Sequence, residues 1–220
     1  MITISQAVAE ELEKMSFISD AMTDGLINLS SLARKLKDPI EKRLQKEVKE
    51  GAIIMALNRF APEKMISSRN KIRTAISNIG DITVRSGLTD YTFAMSESFR
   101  VKQTEFLQFI ENNKGVFVTF THGVHEITLV VSNLLDEKVK LHFKDELLIA
   151  KSEQLASITL RLPESNIEIY GIYYSILKEL AWKGINLVEL ISTANEFTLI
   201  LHESEADRAF STLIQMKSRK

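Results

Sequence analysis

His125-Glu-Ile-Thr-Leu-Val-Val131 returns about 70 residues later as Asn195-Glu-Phe-Thr-Leu-Ile-Leu201. Upstream, Lys114-Gly115-Val116 returns as Lys183-Gly184-Ile185. Before each Lys-Gly lies an amphipathic stretch with helical spacing, residues 100–113 in one copy and 168–182 in the other. Before each of these lies an apolar run with strand character, residues 91–95 and 158–162, leading into the turns Ser96-Glu97-Ser98 and Pro163-Glu164-Ser165. Four elements in the same order, at offsets that drift only between 67 and 70 residues, indicate an internal duplication. Each copy reads strand, helix, strand, strand, then helical or mixed sequence. The glycine of each Lys-Gly suits the left-handed residue that closes a helix. The short loops at 121–124 and 192–194 have hairpin lengths. A strand–helix–strand unit whose last two strands form a hairpin is the ferredoxin-like layout.

Two further runs have strand character but no place in the repeat: residues 81–86 and 147–150. Gly87-Leu88-Thr89-Asp90 has turn chemistry and is expected to separate 81–86 from 91–95. Copy two ends on a helix at residues 204–216, so its sheet lacks a fourth strand. An uncovered edge invites association, so one of the two spare runs is expected to fill it and lock the copies together.

The copies resemble a tandem pair of ACT domains. Copy two carries the resemblance best, in Ile158-Thr-Leu-Arg-Leu-Pro163, Gly171-Ile172 opening a helix, and Gly184-Ile185-Asn186-Leu187 entering the second strand. It is similar to the regulatory modules of aspartate kinases. Copy one has Val116-Phe117 in place of Ile185-Asn186 and no glycine near its helix start. The resemblance implies an amino-acid effector bound between the loop after the first strand and the second strand. By position it points to Glu168, Tyr170, Gly171 and Ile172, and to Asn186 and Val188. Glycine lets a backbone approach closely, a helix N-terminus attracts a carboxylate, and an asparagine both donates and accepts. Each position also has a structural reading: Gly171 relieving crowding against the sheet, Asn186 finishing an exposed edge. The family's frequent Pro-Gly is here Tyr170-Gly171.

Residues 1–66 read as helices. Ser5 is expected to cap the first, with Val8, Leu12 and Met15 on its apolar side. Phe17, Ile18 and Met22 extend a second stripe. Asn28 or Ser30 caps a short helix with Leu29, Leu32, Ala33 and Leu36. Asp38-Pro39 has the chemistry of a fresh helix start, and a last helix covers 50–60 until Pro62 ends it. Charge is uneven: −4 over residues 1–33, +7 over 34–73 and −4 over 74–220, for a net −1. The basic block hints at an anionic partner; a solvated face of mixed charge is the plainer account. Residues 27–36 resemble the second helix of a helix-turn-helix module and 51–59 the third, which makes Arg34, Lys35, Lys37, Lys49 and Arg59 candidate DNA contacts. The intervening dozen residues exceed the usual 3–4-residue turn, which leaves a winged-helix variant or a protein-binding helical domain open.

The chain contains no cysteine, which removes disulfides and thiol catalysis. It shows no phosphate-binding loop, nucleophile elbow or His-Glu-x-x-His. His122-Gly-Val-His125 lies in a hairpin turn with no third ligand placed. No secretory signal or membrane-length apolar run is present. The expected architecture is α+β: a helical domain at 1–66, a connector at 67–80, and ACT-like copies at 81–152 and 153–220. The expected role is that of a non-catalytic cytoplasmic regulator, homodimeric and without a cofactor, which senses an amino acid. It acts on DNA as a transcriptional regulator or docks on a biosynthetic enzyme; an enzyme on a ferredoxin-like scaffold is the third alternative.

Overall fold

The computed structural model describes residues 2–15, 18–23, 25–60, 63–111 and 115–219. The chain divides into two compact units, Met1–Lys71 and Ile72–Lys220.

The first unit contains α1 (Ile4–Glu13), α2 (Ile18–Thr23), α3 (Leu29–Leu44) and α4 (Glu50–Arg59). Its core joins Ala7, Val8 and Leu12 to Leu32, Ala33, Leu36 and Ile40, and to Val48, Ile53, Ala56 and Leu57. Thr3, not Ser5, caps α1: its hydroxyl accepts from the Gln6 amide, and the Gln6 side chain accepts from the Thr3 amide in return. This is a capping box. Asn28 caps α3, accepting from the Ser31 amide at 3.0 Å. Phe17 and Pro62 lie outside the described residues.

Asp38-Pro39 does not open a helix. Pro39 sits inside the 16-residue α3. An internal proline removes one hydrogen bond and crowds the carbonyl four residues back. Here that carbonyl belongs to Lys35, an exposed residue. Leu32, Leu36 and Ile40 recur every four residues across the proline, all within 5% of full burial, and this shared apolar face carries the helix through. α3 ends at Gln45 in a left-handed conformation. The Glu41 carboxylate then accepts from the Val48 amide at 2.8 Å, closing the five-residue connection to α4.

The second unit begins within α5 (Glu63–Ser77). It continues with β1 (Ile82–Ala94), α6 (Glu97–Glu111), β2 (Val118–His122), β3 (Glu126–Ser132), a 3₁₀ turn (Asn133–Leu135) and α7 (Asp136–His142). There follow β4 (Leu148–Arg161), a second 3₁₀ turn (Glu164–Glu168), α8 (Ile172–Trp182), β5 (Glu189–Ser192), β6 (Glu196–His202) and α9 (Glu203–Ser218). The strands form one antiparallel sheet in the order β2-β3-β1-β4-β6-β5. The architecture is α+β, with two ferredoxin-like copies in one body.

The closing strand is shared in both directions. Ile82–Arg85 of β1 pair with residues 157–160 of β4 and supply the fourth strand of copy two. Residues 148–152 of β4 pair with 90–93 of β1 and supply the fourth strand of copy one. Each long strand therefore serves its own copy with one half and the other copy with the other half.

The Gly87–Asp90 segment is not a turn. β1 runs through it, and the register slips by one residue between Arg85 and Leu88. Gly87 has φ +71° and forms a bulge, which bends a strand without ending it. Its amide donates to the Glu203 carboxylate at 2.6 Å. Gln154 of β4, at the matching place in copy two, has φ +56°.

The helix-side cores differ between the copies. Copy one packs Tyr91, Phe93, Phe99, Phe106, Ile127, Leu129, Val131, Val139 and Phe143. Copy two packs mainly aliphatics, with Phe197 as its buried aromatic, from β4, β6, α8 and α9, joined by Ala75, Ile76 and Ile79. Asn112, Asn113 and Lys114, where the first Lys-Gly cap was expected, lie outside the described residues. The second cap is a Schellman turn. Gly184 has φ +67°, its amide donates to Ala181 O, and the Ile185 amide donates to Leu180 O.

Candidate functional site

The loop after the first strand of each copy leads to a helix N-terminus, and the two loops are built differently. In copy one, Ser96 caps α6: its hydroxyl accepts from the Phe99 amide at 2.9 Å. Glu146, its side chain only 4% exposed, accepts from the hydroxyls of Ser96 at 2.7 Å and Ser98 at 3.2 Å. It also pairs with Lys102 at 3.0 Å. Burial pushes the Glu146 carboxyl up, and the hydrogen bonds from Ser96, Lys102 and Ser98 outweigh it, holding the carboxyl below its ordinary value. The chain thus places its own carboxylate at this helix N-terminus.

Glu146→Gln is expected to cost about 1 kcal/mol at pH 7, since a hydrogen bond to a charged group exceeds one to a neutral amide. A carboxyl held low stabilises the fold above its unfolded pKa, and that stability goes as pH falls through the folded value. The difference between variant and parent in urea melts should therefore vanish on the acid side of the carboxylate range.

In copy two the corresponding helix start has no side-chain cap. The side chain of Asn166 is spent on the loop itself, donating to Pro163 O at 3.0 Å and Ala194 O at 2.9 Å. Gly171 precedes α8 at φ +89°, and no side chain caps the helix. The first-turn amides of α8 begin at Ile172, and a helix start leaves such donors without intrahelical partners. Glu168 and Tyr170 flank them, both exposed, Tyr170 to 89%. The long residues 168–182 helix expected from sequence is shorter: Glu168 ends the 3₁₀ turn, and α8 proper begins at Ile172. The Ile172 side chain belongs to the copy-two core, so its amide alone is available to a ligand. A Cβ at Gly171 would stand 3.3 Å from Ile72 Cδ1. Gly171→Ala is expected to lose about 1 kcal/mol, chiefly from the left-handed conformation, measurable as a lowered melting temperature.

Asn186 and Val188 lie elsewhere. Asn186 is exposed and follows the Schellman turn at the C-terminal end of α8. Val188 is half-buried against Leu88, Val130, Leu155 and Ile200, and its amide donates to Ile200 O at 2.7 Å. The 11 residues of α8 put about 16 Å of helix between Gly171 and Asn186. Two other residues share the Gly171 end: the Tyr173 hydroxyl is 3.3 Å from the Ser192 hydroxyl. Ser192 ends the second strand, and a pairing register for β5 would have been needed to find it.

In the first unit, Arg34, Lys35, Lys49 and Arg59 are exposed. Lys37 approaches Glu41 at 3.8 Å, and Arg43 pairs with Glu10. The exposed positions of α4 are Glu50, Gly51, Met55, Asn58 and Arg59, so the helix in the place of a reading helix offers one cation and one acid. The cations gather on α3 instead.

Among the described residues, no group of three or more His, Cys, Asp and Glu could hold a metal ion. His122 approaches the Gln103 side chain at 2.9 Å. No helix among the described residues is long and apolar enough to cross a membrane.

No family model and no curated protein matches the sequence. Solved structures do. Aspartate kinase from Clostridium acetobutylicum superposes with a TM-score of 0.53 at 14% identity, over 64% of this chain and 35% of that one. This chain thus spans about a third of that enzyme's length. The regulatory subunit of aspartate kinase from Thermus thermophilus, in a ligand-free form, superposes with a TM-score of 0.51 at 10% identity, over 63% of this chain and 97% of that one. The regulatory subunit from Thermus flavus gives the same values. At these identities the likeness is one of fold: the strand-sharing pair of ferredoxin-like copies is ACT-like.

Proposed function

We infer that this protein is a non-catalytic regulatory module. Its ACT-like pair binds a small effector, an amino acid, and it acts by docking on a biosynthetic enzyme. The observation that carries this is the contrast between the two helix N-termini. Copy one fills its own with Ser96 and Glu146. Copy two leaves the first turn of α8 uncapped behind Gly171, between exposed Glu168 and Tyr170. Converging amides of this kind receive a carboxylate, and the nearby Glu168 carboxylate and Tyr170 hydroxyl suit an α-ammonium group. Further support comes from the regulatory subunits of aspartate kinase from Thermus thermophilus and Thermus flavus, 97% of whose length is matched by this arrangement. Asn186 and Val188 would serve a ligand only from the far end of α8, as a contribution to a second copy's site.

A DNA-directed role has less support, because α4 exposes a single cation among five surface positions and phosphate contact needs several. Retention on DNA that weakens steeply with salt would reinstate it.

The test is a thermal-shift screen of the twenty amino acids on the full chain. One or a few should raise the melting temperature. A ligand at 100 times its dissociation constant adds about 2.7 kcal/mol. The shift should weaken in Gly171→Ala and persist in Glu146→Gln. No shift with any amino acid would remove the effector.

A further inference from the structure

The sheet has a second face, turned away from the helices, and it is not uniformly apolar. Side chains alternate across a strand. Tyr91 and Phe93 enter the aromatic core of copy one, and Leu88 enters the small cluster on the opposite face with Val130, Leu155 and Ile200. Asp90 therefore shares the face of Leu88, directly opposite Val130 in the ladder. Glu189 pairs with Ile200 and lies on that same face. Phe117, next to β2, and Val188 and Ile191, at β5, pack on one cluster. The sheet is thus curled enough to bring its two outer strands towards each other, and Thr121 of β2 reaches the Glu189 carboxyl of β5.

Between these edges two carboxyls stand without a cation. Asp90 is 8% exposed, and among the described residues its side chain has no hydrogen bond or ion pair. Glu189 Oε2 is fully buried and has no hydrogen-bond partner. The two carboxyls repel each other across the face. Among the described residues Asp90 has no partner and Glu189 only the Thr121 hydroxyl; a buried carboxylate without a cation is costly, and two facing each other are costlier. Elsewhere the chain meets its buried acid with partners: Glu146 has two hydroxyls and Lys102. Among the described residues a third metal-ligating group is missing, which disfavours a divalent ion, and the half-buried Phe117, Val188 and Ile191 alongside suit an alkyl chain.

We propose that the face between β2 and β5 binds a primary alkylammonium group, held by Asp90 and Glu189 with the Thr121 hydroxyl beside them and the alkyl part on half-buried Phe117, Val188 and Ile191, which cover Leu88, Val130, Leu155 and Ile200. An ammonium has three donors and no acceptor, which matches two acceptor carboxylates and a hydroxyl. The site is distinct from the α8 N-terminus: it recognises a cation and asks for no carboxylate on the ligand.

The probe is n-butylammonium chloride on the full chain at pH 7.5, against sodium chloride at equal ionic strength. Melting temperature and backbone amide NMR shifts are both read. Butylammonium is expected to raise the melting temperature and to move the amides of residues 88–90, 121 and 189. Asp90→Asn and Glu189→Gln should each weaken binding by tenfold or more while remaining folded. An equal effect from sodium chloride, an effect kept in both variants, or no effect on either readout overturns the proposal. Success here with no response to any amino acid would leave this site standing and remove the effector function. Response to an amino acid that is kept in Asp90→Asn, with none to butylammonium, does the reverse.

Discussion

Phe99→Ala is expected to destabilise the second unit by about 3–5 kcal/mol, the range for removing a buried aromatic from a packed core. Phe99 is fully buried. Its ring stacks on Phe143 at 4.7 Å and lies 5.2 Å from Phe93 and 6.3 Å from Phe120. Aromatic pairs of this kind add to simple area burial, and a rigid ring set collapses poorly into the space left behind. The more informative outcome is where the loss is felt. Copy one contributes Ile82–Arg85 to the sheet of copy two, and copy two contributes residues 148–152 to that of copy one. Neither copy keeps four strands if the other unfolds. Native-state amide exchange at Leu199 and Ile200, in copy two, should therefore accelerate as much as at Leu129 and Val130, in copy one. Protection retained in β6 while β3 opens would mean that the shared strands do not couple the copies.

That coupling was partly legible in the sequence. The repeat exposed the two hairpins and the Gly184 cap because both rest on local chemistry: a short loop between strand-type runs, and a glycine after the last apolar turn. The missing fourth strand was legible as an absence, and residues 81–86 and 147–150 as its candidates. What could not be read was that both were used, one in each direction. Gly87-Leu88-Thr89-Asp90 has the composition of a turn, and local propensity alone cannot distinguish a turn from a bulge inside a strand. The distinction is made by the partner strand, whose residues 155–157 continue the ladder past Gly87. Pro39 misled for a similar reason. Its local chemistry favours a helix start, while the apolar face it interrupts, Leu32-Leu36-Ile40, is satisfied only by a helix that continues. At the candidate site, Gly171 was legible as a backbone requirement. The distance to Asn186 was not, because it depends on where α8 begins and on which way β5 runs.

Asp90 was hidden by the same misreading, since an acid in a turn is expected to be solvated. On the sheet it is 8% exposed, and burial pushes its carboxyl up to about 6 from an ordinary 3.8. A carboxyl whose pKa is raised by folding contributes its full stability below the unfolded value, and that contribution is lost as pH rises through the folded one. The parent protein should therefore weaken between about pH 4 and pH 7 as the folded state is forced to ionise Asp90 beside Glu189. At 1.36 kcal/mol per pKa unit, the penalty at pH 7.5 is on the order of 2–3 kcal/mol. Asp90→Asn keeps the shape and removes the ionisation. Urea melts in the absence of amines should find the variant more stable than the parent by about that amount at pH 7.5 and equal to it below about pH 4. A gain of the same size at both pH values would mean that packing, not charge, separates the two proteins. No gain at pH 7.5 would mean that the Asp90 carboxylate is already compensated in the fold. A protein that retains such an acid gives up stability at neutral pH, and the butylammonium experiment asks whether a bound cation returns it.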